Sequence, residues 1–473
     1  MRIISSKYHG FAAVVVFVFL LGSLPTDAFI LPKFTTTTTS QNTPSSSSSN
    51  CISRSTYLNV ASSSDSQVQV NSKVANVKVS KTVEVFGLVK QLEADGVEVT
   101  SLCVGEPDFP PPPAVLEATI AAVRNGDTTY TAVTGTNALR RAIARDLKVR
   151  KGVEYNPLTE IVVGNGAKQS VYQGILAICG EGDQVLIPAP YWPSYPEMVA
   201  LAGADSVIVE TKADTGYLMT PEQLRSTLHT NPNVKLLMLC NPSNPTGGVY
   251  TRKDLEGLAT VLEDYPGVAV LADEIYERLV YPPTDSSSSS IPKDDWCPSF
   301  ASIKNMFDRT LTVNGFSKAY AMTGYRLGYL AAPARLAKAV TTLQSQITSC
   351  AGSLSQAAGV AALTEVEESW LENNVVIMQE KRDYVLQELS NMPHVNIPEP
   401  PRGAFYVLPD VSMAPKYQGD DTQLCLDLLQ QEKLALVPGS SFGAPGCVRL
   451  SYATSMEELQ TAMTKMNRFM SSL

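Results

Sequence analysis

The chain has 473 residues, 44% of them hydrophobic, and a formal net charge of −9. That length suggests two folded domains, and the acidic balance argues against nucleic-acid binding. Three histidines (His9, His229, His394) and eight scattered cysteines without a CxxC pair argue against a histidine triad, a metal site and a disulfide framework. In chain order, residues 1–28 read as a signal peptide. Arg2 and Lys7 precede the apolar stretch Phe11 to Leu21, and Ala28 offers a small residue for cleavage. The stretch is short for a membrane span, so no stable anchor is expected in the mature form; a retained anchor is the alternative. Residues 29–70 hold TTTTTS (Thr35 to Ser40) and SSSSS (Ser45 to Ser49), and no acidic residue before Asp65. A hydroxylated, acid-poor tract of this kind is expected to stay unfolded and reads as a transit segment.

The folded part divides into residues 71–124 (an N-terminal arm and part of a small domain), 125–370 (a large domain) and 371–473 (the rest of the small domain). Helices are expected at Val85 to Leu92, Pro113 to Asn125, Thr136 to Lys151 and Ser170 to Cys179, and at Pro221 to Leu228 and Leu255 to Leu262. Strands are expected at Val97 to Val104, Ile161 to Gly164, Gln184 to Pro188, Val207 to Val209 and Val234 to Cys240. Further strands fall at Val268 to Ala272, Thr310 to Val313 and Leu327 to Ala331. The five serines Ser286 to Ser290 mark a surface loop. Helices at Val360 to Glu367 and Trp370 to Leu389 lead into a smaller unit, with strands at Ala404 to Leu408 and Cys447 to Tyr452 and a last helix at Met456 to Phe469. The alternation predicts an α/β fold with a mostly parallel sheet, which binds ligands beyond the carboxyl ends of its strands.

Polar residues gather at those ends. Lys318 closes VNGFSK, Asp273 ends an apolar strand with Tyr276 three residues on, and Asn244 lies in NPSNPTGG. Together they suit a cofactor with an aldehyde, a pyridine nitrogen and a phosphate. A lysine amine forms a Schiff base with an aldehyde, and pyridoxal phosphate then serves as an electron sink. A buried carboxylate, Asp273, keeps the ring nitrogen protonated, while Tyr276 and Asn244 can donate to the ring oxygen. Arg326, Ser317 and the main chain of GNGAK (Gly164 to Lys168) are phosphate candidates. Trp192 can lie against the ring, and Arg449 can grip a substrate α-carboxylate in bidentate fashion.

The motifs GEPDF (105–109), GNGAKQ (164–169), PYW (190–192), NPSNPTG (241–247), DEIYE (273–277), NGFSK (314–318), MTGYRLGY (322–329) and VRLSYAT (448–454) resemble those of class I/II, fold-type I pyridoxal-phosphate aminotransferases. The likeness is greatest to the aspartate aminotransferases of subgroup Iβ and the plastid aspartate–prephenate enzymes. It implies a large domain and a smaller α/β domain, and ping-pong transfer from L-aspartate to 2-oxoglutarate. By resemblance, Lys318 is the Schiff-base lysine and proton shuttle, and Asp273 pairs the pyridine nitrogen. Tyr276 and Asn244 meet the ring oxygen, Arg326 with Gly166 and Ala167 hold phosphate, and Trp192 stacks. Arg449, Asn244 and Gly105 bind the α-carboxylate, and Lys168 the distal carboxylate. Tyr130 reaches the partner's cofactor phosphate, so the resemblance implies a homodimer with interfacial sites acting on amino and 2-oxo acids. Phe86 stands where plastid enzymes carry a threonine, so either it redirects the pocket toward aromatic or broad donors or it is a lid contact. Prephenate/arogenate use and, in another class, a carbon–sulfur lyase are the alternatives. DAFILP (Asp27 to Pro32) resembles the junction of bipartite plastid presequences, which implies a plastid destination, with the secretory pathway as the alternative.

Overall fold

Residues 70–75, 77–79, 81–282 and 295–473 are described by the computed structural model. The expected signal peptide, transit segment and serine loop lie outside them. The strands are β1 (Thr100–Ser101), β2 (Ile161–Gly164), β3 (Gln184–Ala189), β4 (Asp205–Glu210), β5 (Val234–Cys240) and β6 (Ala269–Asp273). They continue with β7 (Thr310–Gly315), β8 (Gly328–Ala331), β9 (Tyr406–Val407), β10 (Leu434–Ala435), β11 (Val437–Pro438) and β12 (Val448–Ser451). The main sheet runs β2-β8-β7-β6-β5-β3-β4. The pairs among β3 to β7 are parallel, and β8 runs antiparallel to both β2 and β7.

The central strands β5 to β8 are buried on both faces because they are apolar at successive positions, while the edge strand β4 is partly exposed. Leu236 and Met238 of β5 pack into a cluster with Ile175 and Val199, while Leu237 and Leu239 pack into another with Leu224 and Leu258. The covering helices have local start and stop signals. Thr136 caps Asn137–Lys151 by accepting from the Leu139 N–H, and Gly152, at φ +66°, ends it. Thr220 with Gln223, and Thr251 with Asp254, form capping boxes for Pro221–Thr230 and Arg252–Glu263.

Register places the site. Cys240 lies beside Asp273, and Asp273 beside Val313, so β5, β6 and β7 finish at one edge. Gly328 opens β8 between Gly164 and Gly315, the last residues of β2 and β7. The antiparallel strand therefore begins where its neighbours end, and Arg326 arrives at the edge that Lys318 leaves from.

A smaller three-stranded sheet, β11-β12-β9, packs with helices Glu368–Ser390, Asp421–Glu432 and Met456–Ser471 around Phe405, Leu428, Leu450 and Met466. β1 pairs with β10 in parallel. Several expectations need correction. The strand expected over Val97 to Val104 pairs only at Thr100–Ser101, and that over Ala404 to Leu408 only at Tyr406–Val407. The helix expected from Ser170 begins earlier and spans Ala167–Ile178. The one expected over Val360 to Glu367 is Ser353–Thr364. Helices Ser194–Ala202, Ala334–Ile347 and Asp421–Glu432 were not anticipated.

Candidate active site

The strand ends enclose a cavity of about 360 Å³. Lys318, three residues past β7, lines it beside Ser317. Lys318 Nζ donates to the Gly105 carbonyl at 2.5 Å and lies 5.9 and 5.8 Å from the Tyr276 and Phe405 ring centroids. Burial lowers the amine from its ordinary value to about 8, and the Arg449 charge adds to the fall. The fall enlarges the share of the amine that is neutral as pH approaches 8, and that neutral form is a nucleophile and a proton carrier.

Asp273 is the last residue of β6 and is 4% exposed. Burial pushes its carboxyl up to about 6, and a 2.7 Å hydrogen bond from the Tyr195 hydroxyl opposes the rise. Such a carboxylate, held away from water, favours a cation placed against it. Tyr276 lies one turn further and shares a 2.9 Å hydrogen bond with the Tyr406 hydroxyl. Burial drives the Tyr276 phenol well above its usual range, so it stays a neutral donor.

Gly166 introduces the helix Ala167–Ile178 with φ +89° and ψ 157°, a conformation essentially restricted to glycine. A Cβ there would stand 2.5 Å from Arg326 Nη2. The guanidinium thus sits over the helix start, whose first N–H groups have no intrahelical acceptor. Arg326 itself takes φ +50°, and its Nη1 donates to the Thr323 carbonyl at 2.9 Å. Helix start and arginine together make an anion cradle. Lys168, on the same turn, lies 5.2 Å from the Trp192 ring centroid, and burial and then the Arg326 charge lower its amine.

Arg449, in β12, is 3% exposed and lies 4.4 Å from the Tyr406 ring centroid. It donates to the Asn244 side-chain oxygen at 3.1 Å and the Cys103 carbonyl at 2.6 Å. Its Nε is buried and has no partner among the described residues. An orphaned, buried guanidinium nitrogen beside a cavity suits a carboxylate ligand. The residues fit pyridoxal phosphate: an anion cradle at one end, a buried carboxylate at the other, an aromatic wall at Trp192 and a depressed lysine between them.

The structure brings together Gly105, Gly166, Ala167, Lys168, Trp192, Asn244, Asp273, Tyr276, Ser317, Lys318, Arg326 and Arg449. Two expected residues stand apart. Tyr130 is 89% exposed on the protomer surface. Phe86 does not line the cavity. The helix Lys81–Ala94 turns Val83 to it instead, because Val85, Val89 and Leu92 dock on the small domain and fix the helix's rotation. Phe86 is left 39% exposed beside Lys90. Sequence reasoning missed Tyr195 and Tyr406. Tyr195 sits one helical turn beyond Trp192, and that spacing was its only signal. Tyr406 lay hidden in a run read purely as a strand.

A family model described as "Aminotransferase class I and II" matches residues 97–466. The aspartate aminotransferase of Pinus pinaster is 44% identical over 414 residues, 85% of this chain and 80% of that protein. A Petunia hybrida protein described as a bifunctional aspartate aminotransferase and glutamate/aspartate-prephenate aminotransferase is 44% identical over 413 residues, covering 85% and 82%. Among solved structures, the aspartate aminotransferase of Rhizobium meliloti superposes with a TM-score of 0.79 at 35% identity, over 85% of this chain and 99% of that one. The Thermus thermophilus aspartate aminotransferase with maleate gives 0.78 at 35% identity, over 85% and 100%. With its cofactor cradle and this span of similarity, the chain belongs to the class I and II aminotransferases and is an enzyme that transfers amino groups with pyridoxal phosphate.

Proposed function

We propose that the enzyme takes the amino group of L-aspartate and gives it to 2-oxoglutarate, forming oxaloacetate and L-glutamate. The observation that carries this reading is the surplus of cations. Arg326 and the helix start serve the phosphate, and Arg449 serves the α-carboxylate. Lys168, against Trp192, remains for a second carboxylate on the substrate side chain. The two relatives named for aspartate support it.

When bound, pyridoxal phosphate supplies the sink for negative charge that develops at the substrate Cα. The chain's own groups do the rest. Arg449 and Asn244 orient the carboxylate. Asp273, steadied by Tyr195, would hold a proton at the pyridine nitrogen. Tyr276 and Asn244, which line the same cavity, would donate to the ring oxygen. Lys318, held at the Gly105 carbonyl, would take the Cα proton and return it one carbon away. Trp192 and Tyr406 wall the site against water.

The reading includes a homodimer. Tyr130 is exposed with no contact in its own cavity, Arg326 faces the surface, and helix Pro113–Asn125 exposes Leu116, Ile120 and Val123 along one stripe. A second copy would cover that stripe and bring Tyr130 to the phosphate. Residues 1–70 are proposed to direct the protein to a plastid. A fluorescent fusion of that segment should enter plastids; a secreted signal would overturn this address.

Substrate choice is tested by the half-reaction. Protein from residue 71 onward, loaded with cofactor, is mixed separately with aspartate, glutamate, arogenate and phenylalanine, and cofactor absorbance is followed. Fast conversion by aspartate and glutamate is expected. Conversion by phenylalanine with silence toward the acidic donors would overturn the dicarboxylate reading, and fast conversion by arogenate would add prephenate chemistry.

A further inference from the structure

The main chain from Cys103 to Gly105 accepts from the two basic side chains at the reacting end of the site. Arg449 donates to the Cys103 carbonyl at 2.6 Å and Lys318 to the Gly105 carbonyl at 2.5 Å. On its upstream side this stretch is well fixed. The Leu102 N–H donates to the Ala435 carbonyl at 3.0 Å, and the Leu102 carbonyl accepts from the Ser451 N–H at 2.8 Å. Downstream, no main-chain hydrogen bond ties residues 103–109 to the backbone of another described residue. Side chains hold it there instead. Thr323 Oγ1 donates to the Glu106 carboxylate, Lys381 Nζ pairs with Asp108 at 2.7 Å, and Phe109 meets Trp370 edge-on at 5.5 Å between ring centroids. Lys381 and Trp370 stand on one helix, Glu368–Ser390. The Lys381 side chain is 8% exposed and that of Asp108 26%, so the pair is partly buried.

We propose that Lys381 is a positioning residue whose ion pair with Asp108 sets where the Cys103 and Gly105 carbonyls stand. Through them it sets the aim of Arg449 and Lys318, an inference that rests on those two residues acting as proposed above. Carbonyls that anchor these two donors must be placed to a fraction of an ångström, since small misplacements of positioned groups cost large factors in rate and affinity. The aromatic contact of Phe109 with Trp370 keeps the segment attached when the ion pair is removed, so a variant loses aim before it loses fold.

The test uses the full holoenzyme as Lys381→Met, Asp108→Asn and Lys381→Arg. Three quantities are read: maleate affinity by calorimetry, KM and kcat for aspartate, and the pH midpoint of the cofactor absorbance. Lys381→Met and Asp108→Asn should each weaken maleate about tenfold and raise KM by a similar factor, with a smaller change in kcat. Both should move the absorbance midpoint, because Lys318 and Arg449 shift together. Lys381→Arg should restore all three. Unchanged maleate affinity and an unmoved midpoint in Asp108→Asn would overturn the proposal, and that variant carries the test if Lys381→Met fails to fold. A wild-type holoenzyme that neither binds maleate nor reacts with aspartate would instead overturn the roles of Arg449 and Lys318.

Discussion

Asp273 and Tyr195 show how burial is turned to use. Burial holds the Asp273 carboxyl up at about 6 against an ordinary 3.8, so the folded protein binds that proton more tightly than the unfolded chain. Its contribution to stability is complete below pH 4 and is lost as pH rises through 6. At pH 7 without cofactor, the ionised carboxylate lowers stability by on the order of 3 kcal/mol. Asp273→Asn removes that charge and keeps an acceptor for Tyr195. The cofactor-free variant should melt a few degrees above wild type at pH 7.5, with the gap closing below pH 4, while transamination falls by roughly two orders of magnitude or more. Equal melting temperatures at pH 7.5 would count against this assignment. Tyr195→Phe acts in the opposite direction. It deletes the hydrogen bond that holds the carboxyl down, so the acid limb of kcat/KM should move to higher pH and kcat should drop about tenfold. An acid limb that stays in place would leave Tyr195 a packing residue only.

At the scale of elements, the helix Ala167–Ile178 illustrates what a single glycine permits. Gly166 occupies a region of backbone space that costs other residues on the order of 1–3 kcal/mol, and its missing Cβ leaves room for Arg326. Gly166→Ala should weaken pyridoxal phosphate binding tenfold or more, by about the energy of one lost charge-assisted contact. Fluorescence titration of the cofactor-free protein checks it, and unaltered affinity would remove this helix start from the phosphate site. The strands that end at the site were legible because apolar runs such as Val234 to Cys240 stop abruptly at polar motifs. The helix Ala334–Ile347 was not. Its buried face mixes Leu336, Ala337 and Val340 with Gln344, whose amide bonds to the Val163 carbonyl at 2.6 Å. A buried polar residue satisfied by a distant strand breaks the hydrophobic period. The shortness of β1 has a functional cause. The chain pairs at Thr100 and Ser101, then leaves the ladder so that the carbonyls of Cys103 and Gly105 can face Arg449 and Lys318. Phe86 does not line the cavity of its own chain, for a geometric reason. Residue type is readable from sequence, but the rotation of Lys81–Ala94 is set by Val85 and Val89.

For the whole molecule, Tyr130 tests whether one protomer completes the site of another. A Lys318→Ala subunit still offers Tyr130, and a Tyr130→Ala subunit still offers Lys318. If the tyrosine acts across an interface, refolding the two variants together should give one intact site per mixed dimer and activity above the mean of the separate variants. No gain on mixing would keep Tyr130 within its own protomer or outside the site. The central claim is that one lysine at the sheet edge, Lys318, carries the cofactor. Borohydride reduction of the holoenzyme followed by peptide mapping tests it most directly. The predicted result is a single pyridoxyl-modified peptide containing Lys318, with the label absent from Lys168 and Lys151. A label on another lysine, or none, would contradict the account.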